Sequence, residues 1–255
     1  MKFSEYIITL VSYITRPQKR KLIEISYGLK DKTGLEIGGP SAFFNLKSYF
    51  PVYLFAEIID GVNYSAETVW EGKIEEGTSY NYAKGKKGIQ YISEASELSE
   101  IENEKYDFLL SCHSLEHVAN PIKALQRWNE VLKKDGKIVL VLPDKNFTFD
   151  HNRPYTSFAH LIEDFNEGTN EHDTTHFEEI YRLHDITKDD MVSTAEQLKN
   201  RTNDNFINRC VHHHVYSLEL VSELLIHCGF KIKYQQKAPP FHLVTVAEKI
   251  SNLKT

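Results

Sequence analysis

Several side chains capable of chemistry follow a short apolar run in the middle of the chain. Residues 106–110 form this run, and Cys112, His113, Glu116 and His117 come after it. Imidazole and carboxylate groups in such a cluster can exchange protons near neutral pH. These residues are therefore the first candidates for a functional site.

The segments around this cluster predict how it is positioned. Residues 106–110 are a short, mainly apolar run and residues 138–142 are an unbroken one, and both runs favour strands covered by helices on both faces. Between them, Asn120 can cap a helix that Gly136 ends. A strand, a helix and a strand in this order form a right-handed crossover, and ligands bind beyond the carboxyl ends of such parallel strands. Asp144, which follows the second run, is expected at the same edge of the sheet.

A glycine pair follows the predicted first strand. Within residues 35–41, Glu36 precedes Gly38 and Gly39. Adjacent glycines permit backbone conformations that side chains forbid, so the turn can bring amide groups close to a ligand. The spacing lacks the full G-x-G-x-x-G pattern of dinucleotide-binding turns, and a plain tight turn is the alternative.

Two further predicted strands end at acidic residues. Residues 52–56 are predicted to be the second strand, and Glu57 at its end could accept both hydroxyls of a ribose. Residues 89–92 are predicted to be the third strand. After it, Glu94 or the Ala95 amide could meet an adenine edge, and a plain surface position is the alternative for Glu94.

The composition is that of an ordinary globular protein. The 255 residues are 41% hydrophobic and 26% charged, and a formal net charge of -6 argues against general binding to nucleic acid or to an anionic membrane. Three cysteines without a CxxC pair favour neither a disulfide framework nor a thiolate zinc site, which indicates the cytoplasm. Residues 1–30 predict two helices broken near Pro17. The apolar run 6–14 is too short to span a bilayer and is expected to be a packing helix. Residues 61–88 are expected to be a long polar loop.

The combined pattern resembles a class I S-adenosylmethionine-dependent methyltransferase. The resemblance rests on Glu57 and on the segments LEIGGP, SEASEL, YDFLLSCHSLEHVANPIKALQRWNEVLKKDGKIVLVLP, SLELVSELLIHCGFKI and FHLVTVAEK. It implies an α/β fold with a Rossmann-like seven-stranded class I methyltransferase sheet, N-terminal helices and a helical insertion after strand 5. The implied single methyltransferase domain, 1–255, consists of N-terminal helices (1–30), a cofactor-binding half (31–145), an acceptor-binding insertion (146–212) and a final helix with antiparallel strands (213–255).

The same resemblance implies S-adenosylmethionine as cofactor. Methyl transfer to a hydroxyl needs a base, and His113 is predicted to be this base because it stands at a strand end. An orienting hydrogen bond without proton transfer is the alternative for His113, and His117 is expected to be structural. The residues implied to hold the cofactor are Glu36, Gly38 and Gly39 for the methionine part, Glu57 for the ribose, Glu94 and Ala95 for the adenine, and Ser111, Cys112 and His113 for the floor that faces the methyl group.

Histidines are concentrated in the insertion. Eight of the twelve lie between His151 and His214. The motifs TFDHNRPYT, LHD and HHHV resemble a bacterial methyltransferase subfamily linked to surface-polysaccharide genes, which implies a small-molecule or glycan acceptor. Arg153 could hold a phosphate through two hydrogen bonds. With His113, His151 is predicted to be catalytic. The predicted acceptor-binding residues are Asp144, Asp150, Arg153, His160, Asp164, His212, His213 and His214.

A divalent metal site is a second interpretation of these histidines. His160 with Asp164, and His172 with His176, have the i, i+4 spacing that lets two side chains share one ligand. However, no HExxH motif is present, and such pairs are common on helix surfaces. We therefore assign no metal ligands from the sequence. For His176 and His184 we expect buried hydrogen bonds that tie the insertion to the core.

The sequence thus predicts an S-adenosylmethionine-dependent methyltransferase that O-methylates a sugar or a phosphate-linked sugar group during capsule or lipopolysaccharide biosynthesis. The alternatives are a nicotinamide-dependent nucleotide-sugar oxidoreductase, which the incomplete glycine pattern disfavours, and a non-catalytic methyltransferase-fold binding subunit. We expect no nucleic-acid partner and no membrane insertion. The sequence predicts no oligomeric state.

Overall fold

One large mixed sheet forms the centre of the computed structural model, which describes residues 3–250, with side chains from residue 7 onward. The outermost residues of the predicted range 1–255 lie outside this described part. The strands are β1 (Thr33–Ile37), β2 (Ile58–Asn63), β3 (Glu67–Thr68), β4 (Gly72–Lys73), β5 (Gly77–Ala83), β6 (Lys86–Ile92), β7 (Tyr106–Cys112), β8 (Leu132–Pro143), β9 (Phe230–Ala238) and β10 (His242–Lys249).

Parallel pairing runs through the middle of this sheet. Its order is β5-β6-β2-β1-β7-β8-β10-β9, and the pairs among β6, β2, β1, β7 and β8 are all parallel. Strand β10 pairs antiparallel with both β8 and β9. This confirms the predicted Rossmann-like sheet with its antiparallel final pair. The sheet has eight strands rather than seven, because β5 forms inside the predicted loop 61–88 and pairs antiparallel with β6.

Helices cover the sheet and build the insertion. The Asn120 side chain accepts the Lys123 amide at 3.0 Å, so the predicted cap is confirmed. Ser217 caps the last helix in the same way, and Gly229 follows that helix with a φ of +84°. In the described residues the α-helices are α1 (Phe3–Thr15), α2 (Arg20–Tyr27), α3 (Val52–Phe55), α4 (Pro121–Val131), α5 (Phe158–Glu167), α6 (Phe177–Leu183), α7 (Ala195–Asn203), α8 (Asn205–Asn208) and α9 (Leu218–His227).

The predicted second strand was wrong. Residues 52–56 contain the short buried helix α3, and the strand β2 begins only at Ile58. A five-residue apolar run fits a buried helical turn as well as it fits a strand, so periodicity alone does not separate them. The shift moves Glu57 from the carboxyl end of the strand to the position before its amino end.

Alternation along β8 shows that both faces of the sheet are buried. Ile138, Leu140 and Leu142 belong to one apolar cluster, whereas Val139 and Val141 belong to another. Successive side chains of a strand point to opposite faces, so the two clusters lie on opposite sides. A third, much smaller cluster in the insertion contains Ile180, Val192, Leu198 and Val211.

Helix α1 forms as predicted, but its apolar side chains are not packed. Ile7, Ile8, Leu10, Val11 and Ile14 are between 37% and 59% exposed, so the expectation of a packing helix was wrong for these five residues. Within residues 3–250, no helix combines the length and the apolar character needed to cross a bilayer.

Candidate functional site

A cavity of about 540 Å³ lies beyond the carboxyl ends of five neighbouring strands. It is the place where a parallel sheet is expected to bind its ligand. Residues of the insertion, including 147–149, 209, 210 and 212, also line this cavity. The strand-end residues that border it are Gly38, Asn63, Glu94, Cys112 and Pro143.

The glycine turn after β1 brings backbone to the cavity. Gly38 borders the cavity with a φ of +75°, a conformation that side chains disfavour. A Cβ atom at this position would lie 2.3 Å from the Ser114 Oγ. Gly39 is buried, and a Cβ there would lie 2.3 Å from the Glu36 carboxylate. Both glycines are therefore needed for close packing, but only Gly38 opens to the cavity.

Glu36 supports this turn from behind. Its Oε2 accepts hydrogen bonds from the Tyr53 hydroxyl at 2.5 Å and the Tyr80 hydroxyl at 2.7 Å, and its Oε1 accepts the Ser41 amide at 3.0 Å. Burial raises the pKa of Glu36 to about 7, although these hydrogen bonds offset part of the effect. The side chain is fully buried and does not border the cavity. Glu36 therefore supports the turn and is not placed for the direct contact with the methionine part that was predicted.

The predicted ribose residue is misplaced. Glu57 precedes β2, is exposed, and lies at the end of the strand remote from the cavity. Asn63 occupies the carboxyl end instead, where it is buried and donates from Nδ2 to the Gly39 carbonyl at 3.2 Å. Tyr64 follows it in the cavity wall. Neither Asn63 nor Tyr64 was predicted, because the predicted β2 lay too early in the chain.

The end of β6 is tied to the insertion by an arginine. Glu94 and Ala95, which were predicted to meet an adenine, both border the cavity. Arg209 donates to the Glu94 Oε1 at 2.5 Å, and it pairs with the Glu171 Oε2 at 2.9 Å. Burial raises the pKa of Glu94, and the charge of Arg209 opposes this rise. No local sequence signal pointed to Arg209, because its partners are distant in the chain.

His113 lies on the cavity floor but is poorly suited to accept a proton. Its Nε2 is 3.0 Å from Nδ1 of His242, and its backbone φ is +54°. Burial, followed by the nearby His242 and His212, lowers the pKa of His113 to about 3. This geometry supports the orienting alternative rather than the predicted base. Cys112 and Ser114 also border the cavity, whereas Ser111 is buried inside β7 and does not.

Glu116 in the cavity wall carries a buried carboxylate that the described part of the protein leaves without a hydrogen-bond partner. The residue is 1% exposed, and neither carboxylate oxygen has a hydrogen-bond partner among the described residues. Burial raises its pKa to about 7, and the charge of His212 offsets part of that rise. A buried carboxylate without a donor is costly, so this group is prepared for a polar ligand.

His212 and Asp150 form a hydrogen-bonded pair beside Glu116. Nδ1 of His212 lies 2.5 Å from Oδ2 of Asp150, and the other Asp150 oxygen accepts from Arg153 at 2.9 Å. Burial opposes the charged form of His212, but the carboxylate of Asp150 outweighs it and raises the pKa of this imidazole. Burial likewise opposes ionisation of Asp150, yet His212 and Arg153 lower its pKa. His212 borders the cavity, and Asp150 holds it from behind.

Other predicted acceptor residues are engaged elsewhere. Arg153 is 1% exposed and donates to Asp150, to Glu179 at 2.7 Å and to the His212 carbonyl at 2.8 Å, so it is not available to hold a phosphate. His151 pairs with Asp185 at 2.8 Å. Neither these two residues nor Asp144, His160, Asp164, His213 and His214 border the cavity. His117 does border it, with Nδ1 3.0 Å from the Val211 carbonyl.

Three groups within residues 3–250 have the composition of metal sites. In each, one potential ligand atom per residue lies within 4.8 Å of the others. Only one of them faces the cavity. The groups are Glu116, His117 and His212; Asp173, His176 and His213; and His160, Asp164, His176 and His214.

A family model described as a methyltransferase domain matches residues 15–232, which include the insertion and the parallel strands of the sheet but not β10. The chain belongs to this methyltransferase family. The match favours the predicted methyltransferase over the nicotinamide-dependent alternative, and it confirms S-adenosylmethionine as the cofactor at the level of the family. No curated protein matches the sequence.

Solved structures with the same fold are distant in sequence. An S-adenosylmethionine-dependent methyltransferase from Mesorhizobium loti is 12% identical with a TM-score of 0.51, covering 91% of this chain and 96% of its own. A protein from Pyrococcus horikoshii OT3 is 16% identical with a TM-score of 0.51, covering 93% and 91%. The 1,6-didemethyltoxoflavin-N1-methyltransferase from Burkholderia thailandensis, with bound S-adenosylhomocysteine, is 14% identical with a TM-score of 0.51, covering 98% and 91%.

The residues of this methyltransferase fit its cofactor. Gly38 presents backbone without a side chain to the cavity, and Asn63 and Glu94 place polar groups at two adjacent strand ends. Glu116 and His212 border the same cavity.

Proposed function

We propose that this methyltransferase transfers a methyl group from S-adenosylmethionine to a hydroxyl oxygen of a sugar or of a phosphate-linked sugar group. The observation that carries the proposal is Glu116, a residue of the cavity wall whose two buried carboxylate oxygens have no hydrogen-bond donor within the described chain. An ionised carboxylate only accepts hydrogen bonds, and a polyhydroxylated acceptor supplies donors. An acceptor hydroxyl bound to Glu116 therefore satisfies a group that the protein leaves unpaired.

Asp150 and His212 supply the proton acceptor. An imidazole whose Nδ1 donates to a carboxylate presents Nε2 as its basic nitrogen. The Asp150 carboxylate also stabilises the imidazolium that forms when His212 takes the hydroxyl proton. Because Asp150 raises the pKa of His212, this nitrogen is a stronger base than that of His113. The proton thus moves from the acceptor hydroxyl to Nε2 of His212 as the oxygen becomes nucleophilic.

The remaining residues of the cavity bind the cofactor and align the acceptor. When bound, the cofactor supplies an electrophilic methyl group, so the protein chiefly positions the acceptor oxygen and excludes water. Gly38 gives close backbone approach, and Asn63, whose Nδ2 is held by Gly39, keeps its Oδ1 for ribose hydroxyls. Phe149 and Phe241 are apolar parts of the wall that displace water near the acceptor.

The biological setting is part of the same proposal. The motifs of the insertion resemble a bacterial subfamily associated with capsule and lipopolysaccharide genes, and the net charge of -6 favours a small-molecule or glycan acceptor over nucleic acid. We place the reaction in the cytoplasm, where nucleotide-linked sugars would be the acceptors.

Methyl transfer to defined acceptors tests this function. Radioactive S-adenosylmethionine is incubated with the protein and separate pools of nucleotide-sugars, glycans, nucleic acids and proteins, and mass spectrometry locates the methyl group. We expect label on a sugar oxygen, and we expect Glu116→Gln to abolish it while Glu196→Gln, an exposed change on α7, retains it. Label only on proteins or nucleic acids would exclude the glycan acceptor. A folded protein that binds neither S-adenosylmethionine nor S-adenosylhomocysteine in calorimetry would exclude methyl transfer itself.

A further inference from the structure

Four side chains outside the cavity bring potential metal ligands to one point. His160 and Asp164 lie one turn apart on α5, His176 immediately precedes α6, and His214 lies in the segment that leads to α9. One nitrogen or oxygen atom from each lies within 4.8 Å of all the others. The cluster therefore joins three separate segments of the chain.

The spacing of these atoms resembles a coordination shell. Nε2 of His160 is 3.2 Å from Nε2 of His176 and 3.5 Å from Oδ2 of Asp164. The same Asp164 oxygen is 3.7 Å from Nε2 of His214. Ligands of a tetrahedral zinc ion, each bound at 2.0–2.1 Å, are about 3.3 Å from one another. Small side-chain movements would bring these four atoms to that arrangement.

Asp164 gives an independent indication of a cation. The residue is 5% exposed, and its Oδ1 accepts the Thr169 hydroxyl at 3.1 Å. Its Oδ2, which points into the cluster, has no hydrogen-bond partner in the part of the chain that the structure describes. A buried carboxylate oxygen without a donor is costly, and a bound cation would satisfy it.

Hydrogen bonds alone leave this cluster incompletely satisfied. His160 and His176 can share one proton, and His214 can donate from Nε2 to the Ala119 carbonyl at 3.2 Å. Neither arrangement gives a hydrogen-bond donor to Oδ2 of Asp164. The overlapping group that contains Asp173 is a weaker candidate, because Asp173 already accepts from the Thr175 amide and hydroxyl.

We propose that His160, Asp164, His176 and His214 bind one structural zinc ion that fastens the insertion to the core. Three imidazoles and one carboxylate suit zinc, and four protein ligands close the coordination shell as in structural sites. The insertion has a reason to need such a link, because its own apolar cluster contains only four buried residues among those described. A small core gains most from an additional cross-link.

The ion would also fix part of the cavity wall. Glu171, which binds Arg209, lies between the ligands Asp164 and His176 in the chain. His212, the proposed base, is two residues before the ligand His214. The zinc proposal does not depend on the methyl acceptor, because the four ligands lie outside the cavity.

Metal analysis of the intact protein tests the proposal. Protein purified in zinc-containing buffer and then desalted is examined by elemental mass spectrometry, and its melting temperature is measured before and after chelation and after zinc is restored. We expect one zinc per chain, a lower melting temperature after removal, and recovery on addition of zinc. In Asp164→Asn and His176→Gln, we expect zinc affinity to fall by at least about tenfold.

Two matched controls separate this site from its neighbours. His172→Gln changes an exposed histidine of the same loop, and Glu116→Gln changes the candidate group that faces the cavity. Both should retain the zinc, and circular dichroism establishes that each variant is folded. Folded wild-type protein without stoichiometric zinc and without a zinc-dependent melting temperature would overturn the proposal. A zinc affinity of Asp164→Asn equal to that of the wild type, or loss of zinc from Glu116→Gln, would do the same.

Discussion

The cofactor-binding half, 31–145, and the insertion, 146–212, use polar side chains in different ways. In the first region, residues after the strands, such as Gly38, Glu94 and His113, converge on one cavity because parallel strands end at one edge of the sheet. In the insertion, Arg153 and His151 bond mainly to other residues of the insertion, and only His212 of its predicted acceptor residues reaches the cavity. In the cofactor-binding half, the order of the strands determines which polar side chains reach the cavity. In the insertion, contacts between individual side chains determine this.

The largest expected loss of methyl-transfer rate distinguishes His212 from His151, which both lie in the insertion. His212→Asn should reduce the rate of methyl transfer by about 10²–10⁴-fold, because it removes the proton acceptor. His151→Asn should leave that rate nearly unchanged, because His151 lies outside the cavity and pairs with Asp185. Steady-state kinetics with a methylated-product assay measures both. Equal losses in the two variants, with cofactor binding intact, would restore the original assignment of His151.

The pH dependence should shift when Asp150 is changed. His212 accepts a proton only in its neutral form, so the rate should rise with pH as this imidazole, whose pKa is raised by Asp150, loses its proton. In Asp150→Asn the carboxylate is gone and burial lowers the pKa, so the rise should move to lower pH with a lower plateau. Burial raises the pKa of Glu116 to about 7, so ionisation of this carboxyl also contributes to the profile. Glu179→Gln, which changes the other Arg153 partner, is the control, and an unshifted Asp150→Asn profile would argue against His212 as base.

In the first region, Gly38→Ala should weaken cofactor binding by about tenfold, since the added Cβ meets Ser114 and the positive φ costs about 1–2 kcal/mol. Gly85→Ala is the matched control, because Gly85 has the same φ of +75° but no neighbouring atom within 4 Å of an added Cβ. Calorimetry with S-adenosylhomocysteine gives the affinities, and melting temperatures give the stability cost. Similar affinities for both variants would remove the turn from the cofactor site.

The smallest expected effect is a loss of cofactor affinity on changing Asn63 at the carboxyl end of β2. Asn63→Ala should weaken cofactor binding by about two- to tenfold, the range for losing one hydrogen-bonding group. Glu57→Ala should leave binding unchanged, because Glu57 is exposed at the remote end of the strand. The same calorimetric titration compares them. A larger loss for Glu57→Ala than for Asn63→Ala would contradict the placement of β2.

The sequence predicted the elements whose signals are local. The strands β1, β6, β7 and β8, the Asn120 cap and the Gly229 stop all follow from apolar runs and cap residues. The start of β2 was missed because a buried helical turn has the same apolar pattern as a strand. The edge strand β5 was missed because its residues are mostly polar or aromatic and lie in a segment that resembles a loop.

The site was predicted in its location but only partly in its chemistry. The cluster after β7 was found because a strand end marks it, and Glu116 was among its first candidates. The engagement of Arg153 and the pairing of His212 with Asp150 depend on residues up to 62 positions apart, which no spacing rule reveals. The role of Glu36 behind the glycine turn likewise depends on Tyr53 and Tyr80, which approach only in the folded chain.

The two tryptophans lie in different environments, so the intrinsic fluorescence of the protein can report on two separate events. Trp70, at the β3–β4 turn, borders the cavity near His117 and is 49% exposed, whereas Trp128 lies on α4 and is fully buried in the core. Emission from Trp70 should respond to occupation of the cavity, while the blue-shifted emission of Trp128 should change only when the core opens. A Trp70→Phe variant would silence the first signal and leave the second, so fluorescence can separate ligand uptake from unfolding in a single unlabelled sample.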